Sequence, residues 1–260
     1  MIRLEKKGYE QIYRLYLSCP FFFPLIAAVL LDEQDGVVYV NDQNTPSQIY
    51  VEHAFGFAQI FGNMDSRFEL ELEDYLLLDK NFHSDKVRLY AAYAPEFILK
   101  PQYEPLRSYR QRFVLGSEYQ MDTPTLLKQS GKINFSGVNQ TNIDLIESHF
   151  HLVSRFWRNE SDFIQKSNAI VVLYDGKLAS ICYAAAEANH CTEIDVLTLP
   201  NYRNLGLANK AVLCFIHHCL EIGLTPWWDC FTNNSGSMML CKSVGFKAMN
   251  DPYLFFTINK

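Results

Sequence analysis

The stretch CTEIDVLTLPNYRNLGLANKAV, residues 191–212, joins an apolar, strand-like run to a helix across a turn that holds Pro200, Arg203, Gly206 and Ala208. EIDVLTL (193–199) reads as a buried strand, and LANKAVLCFIHHCLEIG (207–223) reads as a helix ended by Gly223. A helix that begins just after a glycine has unsatisfied backbone N–H groups in its first turn and the positive end of its dipole there. Gly206 has no Cβ to hold a phosphate oxygen away from the backbone, Ala208 is the next smallest choice, and Arg203 adds charge at the rim. The turn is therefore a candidate cradle for a phosphate or pyrophosphate. On this short string alone, an ordinary strand-to-helix turn remains the competing reading.

Downstream come a strand at TPWWDCF (225–231), a polar TNNSGS, a short helix MMLCKSV, the pair Gly245-Phe246, and last strands near KAM and YLFFTIN. Upstream, AIVVLYDGKLASICYAAAEA (169–188) reads as two strands joined at Asp175-Gly176, a strong hairpin signal, with CTEIDVLTL as the third strand of the meander. Before these lie a strand KINFSGV, a helical NQTNIDLIESHFHLVSRFW, and a short helix opened by Asn159 as its capping residue. The first part of the chain alternates helix and strand signals to about residue 118, so it forms a smaller α/β domain. EYQMDTPTLLKQSGK (118–132), with Pro124 and Gly131, is the expected connection. The expected domains are 1–125 and 126–260. No repeat is visible in the residues, although the element order of the first part loosely parallels that of the second.

The 260 residues are 48% hydrophobic and 20% charged, the composition of a soluble globular protein with room for two domains. A net charge of −6 and no Lys/Arg cluster argue against a nucleic-acid partner. Seven cysteines without a C-x-x-C pair suit a reducing cytoplasm, and no histidine has the spacing of a zinc site, so no metal is expected. CPFFFPLIAAVLL (19–31) is too short and too rich in proline to span a bilayer, and Asp32, Glu33 and Asp35 follow it closely; a buried helix is expected there, with no membrane partner.

RNLGLA directly after a strand, with NNSGSMMLCKSVGF about 30 residues on, resembles the R/Q-x-x-G-x-G/A loop and the asparagine, short helix and Gly-Phe ending of the GNAT superfamily of acyl-CoA N-acetyltransferases. The resemblance covers roughly residues 130–257, and with the extra amino-terminal domain it is similar to a two-domain bacterial subgroup that includes antibiotic-modifying enzymes. It implies a mixed sheet flanked by helices in the second domain. It also implies acetyl-CoA as co-substrate, its pyrophosphate held by the loop Arg203, Asn204, Leu205, Gly206, Leu207 and Ala208. The family splays its fourth and fifth strands apart for pantetheine. By position, Leu197, Thr198 and Leu199 offer that edge, and Asn233 or Asn234 is the matching polar contact.

The family activity implied is acetylation of a small amine, for instance an aminated antibiotic or a polyamine. Such an amine has a pKa of about 10, so at neutral pH it needs a base. Relatives use a glutamate on the fourth strand; Glu193 matches that position, and Asp195 lies on the same strand face as a second candidate. Where relatives often carry a tyrosine as acid for the departing thiolate, this chain has Cys241, which leaves the acid to that thiol, to Tyr253 or to water. Trp157, Trp227 and Trp228 are candidates for an acceptor pocket, although large aromatics more often belong to the core. The amino-terminal domain would shape the acceptor site or a homodimer interface. A protein that only binds acyl-CoA, as a sensor or scaffold, is the competing reading.

Overall fold

The computed structural model describes residues 1–119 and 131–260. The expected boundary between residues 125 and 126, with Pro124, lies outside the described residues. The chain gathers into two compact units, Met1–Arg110 with Pro252–Lys260, and Gln111–Asp251. Among the described residues, no helix is long and apolar enough to cross a membrane.

In chain order the elements are β1 (Ile2–Arg3), α1 (Tyr9–Tyr16), α2 (Pro24–Leu30), β2 (Gly36–Val40), β3 (Gln48–His53), β4 (Phe57–Gly62), α3 (Ser66–Glu73), β5 (Lys86–Ala91) and β6 (Arg107–Leu115). Then follow β7 (Ile133–Gly137), α4 (Ile143–Phe150), α5 (Val153–Phe156), α6 (Glu160–Lys166), β8 (Ile170–Tyr174), β9 (Lys177–Ala188) and β10 (Cys191–Thr198). The chain ends with α7 (Leu207–Glu221), β11 (Thr225–Phe231), α8 (Ser235–Ser243), β12 (Phe246–Ala248) and β13 (Tyr253–Asn259).

In the first unit the strand order is β1, β2, β3, β4, β5, β13, β6. Neighbours are antiparallel except β4 and β5, which run parallel over Phe57–Gln59 against Arg88–Tyr90. The apolar run expected to make a buried helix does so in α2, all seven residues of which are buried. Phe68 and Leu72 of α3 pack on Tyr50, Ile60, Leu89, Phe256 and Ile258.

The second unit has the order β6, β11, β10, β9, β8, β7, with β12 also on β6. Asp175-Gly176 makes the hairpin its sequence promised, both residues in the left-handed region (φ 48° and 76°), and Asn189-His190 turns β9 into β10 the same way (φ 50° and 57°). Asn159 caps α6 by accepting the Asp162 N–H at 2.9 Å. The stretch expected as one helix before it is two, because His151 (φ 52°) ends α4. Val212, Phe215, Ile216 and Cys219 of α7 form the core with Cys182 and Ala184 of β9, Ile194 of β10 and Trp228 and Cys230 of β11.

One assignment changes. β13, expected to finish the second domain, pairs with β5 and β6 in the first unit. The loose parallel in element order holds in the structure: both units run strand, helices, three antiparallel strands, crossover helix, parallel strand. The two units thus share one order of elements with different residues.

Candidate active site

β10 and β11 are parallel, so a crossover must join them, and α7 supplies it. They pair only over Cys191–Glu193 against Thr225–Trp227, after which both strands continue without each other, to Thr198 and Phe231. The fork opens at Glu193. Along its β10 lip the backbone alternates. The Leu199 N–H is bonded to Ala179 O at 2.9 Å, and Leu197 O accepts the Ser180 hydroxyl at 2.8 Å, so these two residues face β9. Val196 and Thr198 face the opening instead. The Val196 N–H goes to the Asp195 carboxylate at 2.9 Å, and Thr198 O accepts Arg203 Nε at 3.4 Å. Of the expected edge residues Leu197, Thr198 and Leu199, only Thr198 points its backbone into the gap; Val196, which alternation along the strand would have indicated, does so as well.

Beyond the lip, residues 199–206 lead into α7. The backbone passes through left-handed geometry at Asn204 (φ 62°) and Gly206 (φ 72°), the kind of conformation that forms anion-binding nests. Gly206 is the N-cap, and no side chain caps the helix. A Cβ built on Gly206 would meet nothing within 4 Å, so the helix start opens onto empty space. Arg203, Asn204 and Leu205 are exposed, Ala208 is half-buried, and Leu207 anchors the turn by burying its side chain in the core. Asn209 Nδ2 donates to Ser243 Oγ at 3.1 Å and ties α7 to α8.

Successive residues of a strand face opposite sides, and Ile194, Trp228 and Cys230 pack under α7. Glu193, Asp195, Trp227 and Asp229 therefore share the other face of the sheet. A bulge at this point, with Ala185 inserted between the β9 partners of Glu193 and Ile194, keeps Glu193 at the apex. Trp157 Nε1 donates to Ala184 O at 3.2 Å, and the Ala184 N–H bonds Ser167 O at 2.7 Å, which satisfies the backbone that the bulge releases. Glu193 is buried at the fork. Asp195 accepts the Tyr183 hydroxyl at 2.5 Å and has Arg155 Nη1 at 3.8 Å. Burial, and then the neighbouring Asp195 charge, push the Tyr183 hydroxyl well above its ordinary pKa, so it stays a donor. On β6, the Arg112 guanidinium lies 4.8 Å from the Trp227 ring centre and 3.7 Å from the Asp229 carboxylate. Tyr183, Arg155, Arg112 and Asp229 were not singled out from sequence. Asp229 follows from alternation with Trp227, whereas nothing in the residues locates the other three beside it.

The remaining expected residues divide. Asn234 caps α8, its side chain accepting the Ser237 N–H at 3.1 Å, while Asn233 is exposed just past the end of β11. Cys241 is fully buried in the core, its thiol donating to Met238 O at 3.3 Å and pushed by burial to about 12. A side chain sealed in this way touches no substrate, so Cys241 leaves the candidate set. Tyr253 belongs to the first unit, packed near Phe21, Phe23 and Tyr90. Trp228 is core, its indole N–H on Ser237 Oγ, and Trp157 is buried; Trp227 alone of the three is half-buried on the face of Glu193. Among the described residues, no cluster of three or more His, Cys, Asp or Glu side chains is arranged to hold a metal ion.

A forked parallel pair with an uncapped crossover helix is the arrangement expected from the resemblance, and the family model for GNAT acetyltransferases matches residues 23–255. The chain belongs to the GNAT acetyltransferase family. GNAT members are acetyl-CoA-dependent acyltransferases, and this chain is one of them. It is 24% identical to the uncharacterised N-acetyltransferase YdfB of Bacillus subtilis (strain 168), over 98% of this chain and 97% of that protein. In structure it is similar to a GCN5-related N-acetyltransferase-like protein from Streptococcus suis, with TM-score 0.70, 20% identity, and 98% and 99% of the two chains covered. A tandem GNAT protein from the clavulanic acid biosynthesis pathway also matches, with TM-score 0.67, 9% identity, and 99% and 97% coverage. The GNAT likeness thus extends over both units, beyond the 130–257 span expected from the motifs.

Proposed function

We propose that the second unit transfers the acetyl group of acetyl-CoA to the primary amine of a small, cationic molecule such as a polyamine or an aminated antibiotic, in the cytoplasm. The observation that carries this reading is a buried carboxylate, Glu193, at the apex of a fork whose lip leads to an uncapped helix start. The residues fit the donor. Gly206 leaves open space for a pyrophosphate, the first N–H groups of α7 and the helix dipole favour an anion, and Arg203 adds charge at the rim. Val196 and Thr198 hold the pantetheine arm, and exposed Asn233 lies beside its path. Acetyl-CoA supplies an activated acyl group and a thiolate leaving group. Glu193, directly or through one water, takes the proton of the incoming ammonium and releases the neutral nitrogen. Asp195, occupied by Tyr183 and Arg155, orients the acceptor. The face carries Glu193, Asp195 and Asp229 against Arg112 and Arg155, an excess of carboxylate that suits a cation, and the −6 net charge steers one toward it. With Cys241 sealed in the core, water protonates the thiolate.

That same burial gives the competing reading, an acyl-CoA-binding module without catalysis, a specific basis. Release of free thiol from acetyl-CoA, followed over a panel of polyamines, aminoglycosides and amino acids, separates the two. Thiol release accelerated by a cationic amine is expected. A protein stabilised by acetyl-CoA, at saturation by about 2.7 kcal/mol for ligand at 100 times its Kd, that no amine accelerates is a binding module. With no stabilisation at millimolar donor, both readings fall.

A further inference from the structure

Resting on that reading, and extending it to the whole chain, we propose that the protein takes up one acyl-CoA, in its second unit, and that the first unit is a closed copy of the fold whose donor site is filled by the chain's own side chains. The first unit retains the forked parallel pair, with Gln59 and Tyr90 the last pair before β4 and β5 separate, where the second unit has Glu193 and Trp227. Each feature that opens the second fork is closed in the first.

The crossover helix α3 starts with a carboxylate already in place. Asp65 accepts the N–H groups of Arg67 at 3.1 Å and Phe68 at 3.0 Å, and Asn41 Nδ2 holds its second oxygen at 2.9 Å. The positive helix end is thereby neutralised, and a pyrophosphate would meet a fixed negative charge. The connection is also shorter. Residues 63–65 join β4 to α3, where residues 199–206 join β10 to α7. Asp65 stands at the N-cap where α7 has Gly206, and the nearest glycine, Gly62 at the end of β4, has no free space: a Cβ there would lie 2.1 Å from Ser47 O, whereas one on Gly206 meets nothing within 4 Å.

At the apex, the neutral amide of Gln59 replaces the carboxylate of Glu193 and is already engaged, accepting the Tyr16 hydroxyl at 2.5 Å and donating to Phe21 O at 3.0 Å. An amide takes no proton from an ammonium. The face beside it is filled by rings: Phe23 stacks on Tyr90 with centres 3.9 Å apart, and Tyr253 lies 5.7 Å from Phe23. The β4 lip beyond the apex, Ile60 and Phe61, is buried, whereas Asp195 to Thr198 on β10 are half-exposed.

Calorimetric titration of the full chain with acetyl-CoA, together with hydrogen exchange, tests this. One molecule per chain is expected, with protection gained at residues 194–209 and none at 57–68. Asp65→Ala should leave stoichiometry and affinity unchanged. Gly206→Glu should remove all binding. Arg203→Glu, at an exposed position where folding is not at risk, should weaken it by about tenfold or more through charge reversal at the rim. Two molecules per chain, binding that survives Gly206→Glu in a protein with the parent melting temperature, or protection at 63–68 would overturn the inference while leaving the acetyltransferase reading intact. No binding at all would overturn that reading and this inference with it.

Discussion

Glu193 and Asp195 have the same chemistry and share a strand face, yet their surroundings set them different tasks. Asp195 is engaged by the Tyr183 hydroxyl, the Val196 N–H and Arg155, so its oxygens already have partners. Glu193→Gln should therefore lower kcat by roughly 10² to 10⁴ while the KM for acetyl-CoA stays near the parent value. Asp195→Asn should act mainly on the acceptor KM and leave the acidic limb of the pH–rate profile, where the base becomes protonated, in place. If steady-state kinetics show the reverse pattern, Asp195 is the base. Cys241 belongs to packing: Cys241→Ala should cost about 1 to 3 kcal/mol in denaturant titration through the cavity it leaves, with kcat and its pH profile unchanged. A variant of parent stability whose alkaline limb is altered would return the thiol to the mechanism.

At the scale of the element, the N-terminus of α7 contrasts with those of α3 and α6. α6 and α3 are capped by Asn159 and Asp65, whereas α7 begins at a bare left-handed glycine facing open space. Gly206→Ala meets no steric obstacle, so its cost is the left-handed backbone alone, about 1 to 2 kcal/mol. Asn159→Ala should cost a similar amount, about 1 kcal/mol, through the lost cap. Thermal melts with and without coenzyme A distinguish their roles. The ligand-induced shift should persist in full for Asn159→Ala and shrink for Gly206→Ala if the φ of 72° is what aims the N–H groups. Equal shifts in the two variants would mean that the turn's geometry does not matter to the donor.

For the whole molecule, the placement of β13 makes the first unit depend on the end of the chain. β13 lies between β5 and β6, contributes Phe256 and Ile258 to the first core, and would leave the long edge of β5 unpaired if removed. Truncation after Asp251 should therefore strip hydrogen-exchange protection from β2 to β5, more than a hundred residues upstream, and promote aggregation through the exposed edge. A truncated chain whose first unit keeps its protection would show that β13 only decorates that sheet. Burial raises the Cys219 and Cys241 thiols to about 12, so folding favours the neutral thiol: stability should not change with these groups from acid to neutral pH and should fall as pH rises past the ordinary thiol range, read by denaturant titration.

What the sequence by itself determined about this protein is local. The strand, turn and helix at 193–223, the hairpin at Asp175-Gly176, the cap at Asn159 and the buried run before Asp32 each rest on backbone preferences and apolar periodicity that act within a few residues. The glycine turn and the alternation of Glu193 with Asp195 made the candidate site legible for the same reason. Tertiary structure decided everything that depends on which strand lies beside which. Strand partners are chosen by core packing between distant segments, so β13 joins a sheet begun at the other end of the chain, and the Ala185 bulge brings Tyr183 opposite Asp195. The residues show only a loose parallel in element order between the two units, because a fold constrains burial pattern and connectivity more tightly than residue identity. Phe57–Gly62 and Cys191–Thr198 hold the same place in their sheets, yet one leads to a capped helix and the other to a helix start in open space.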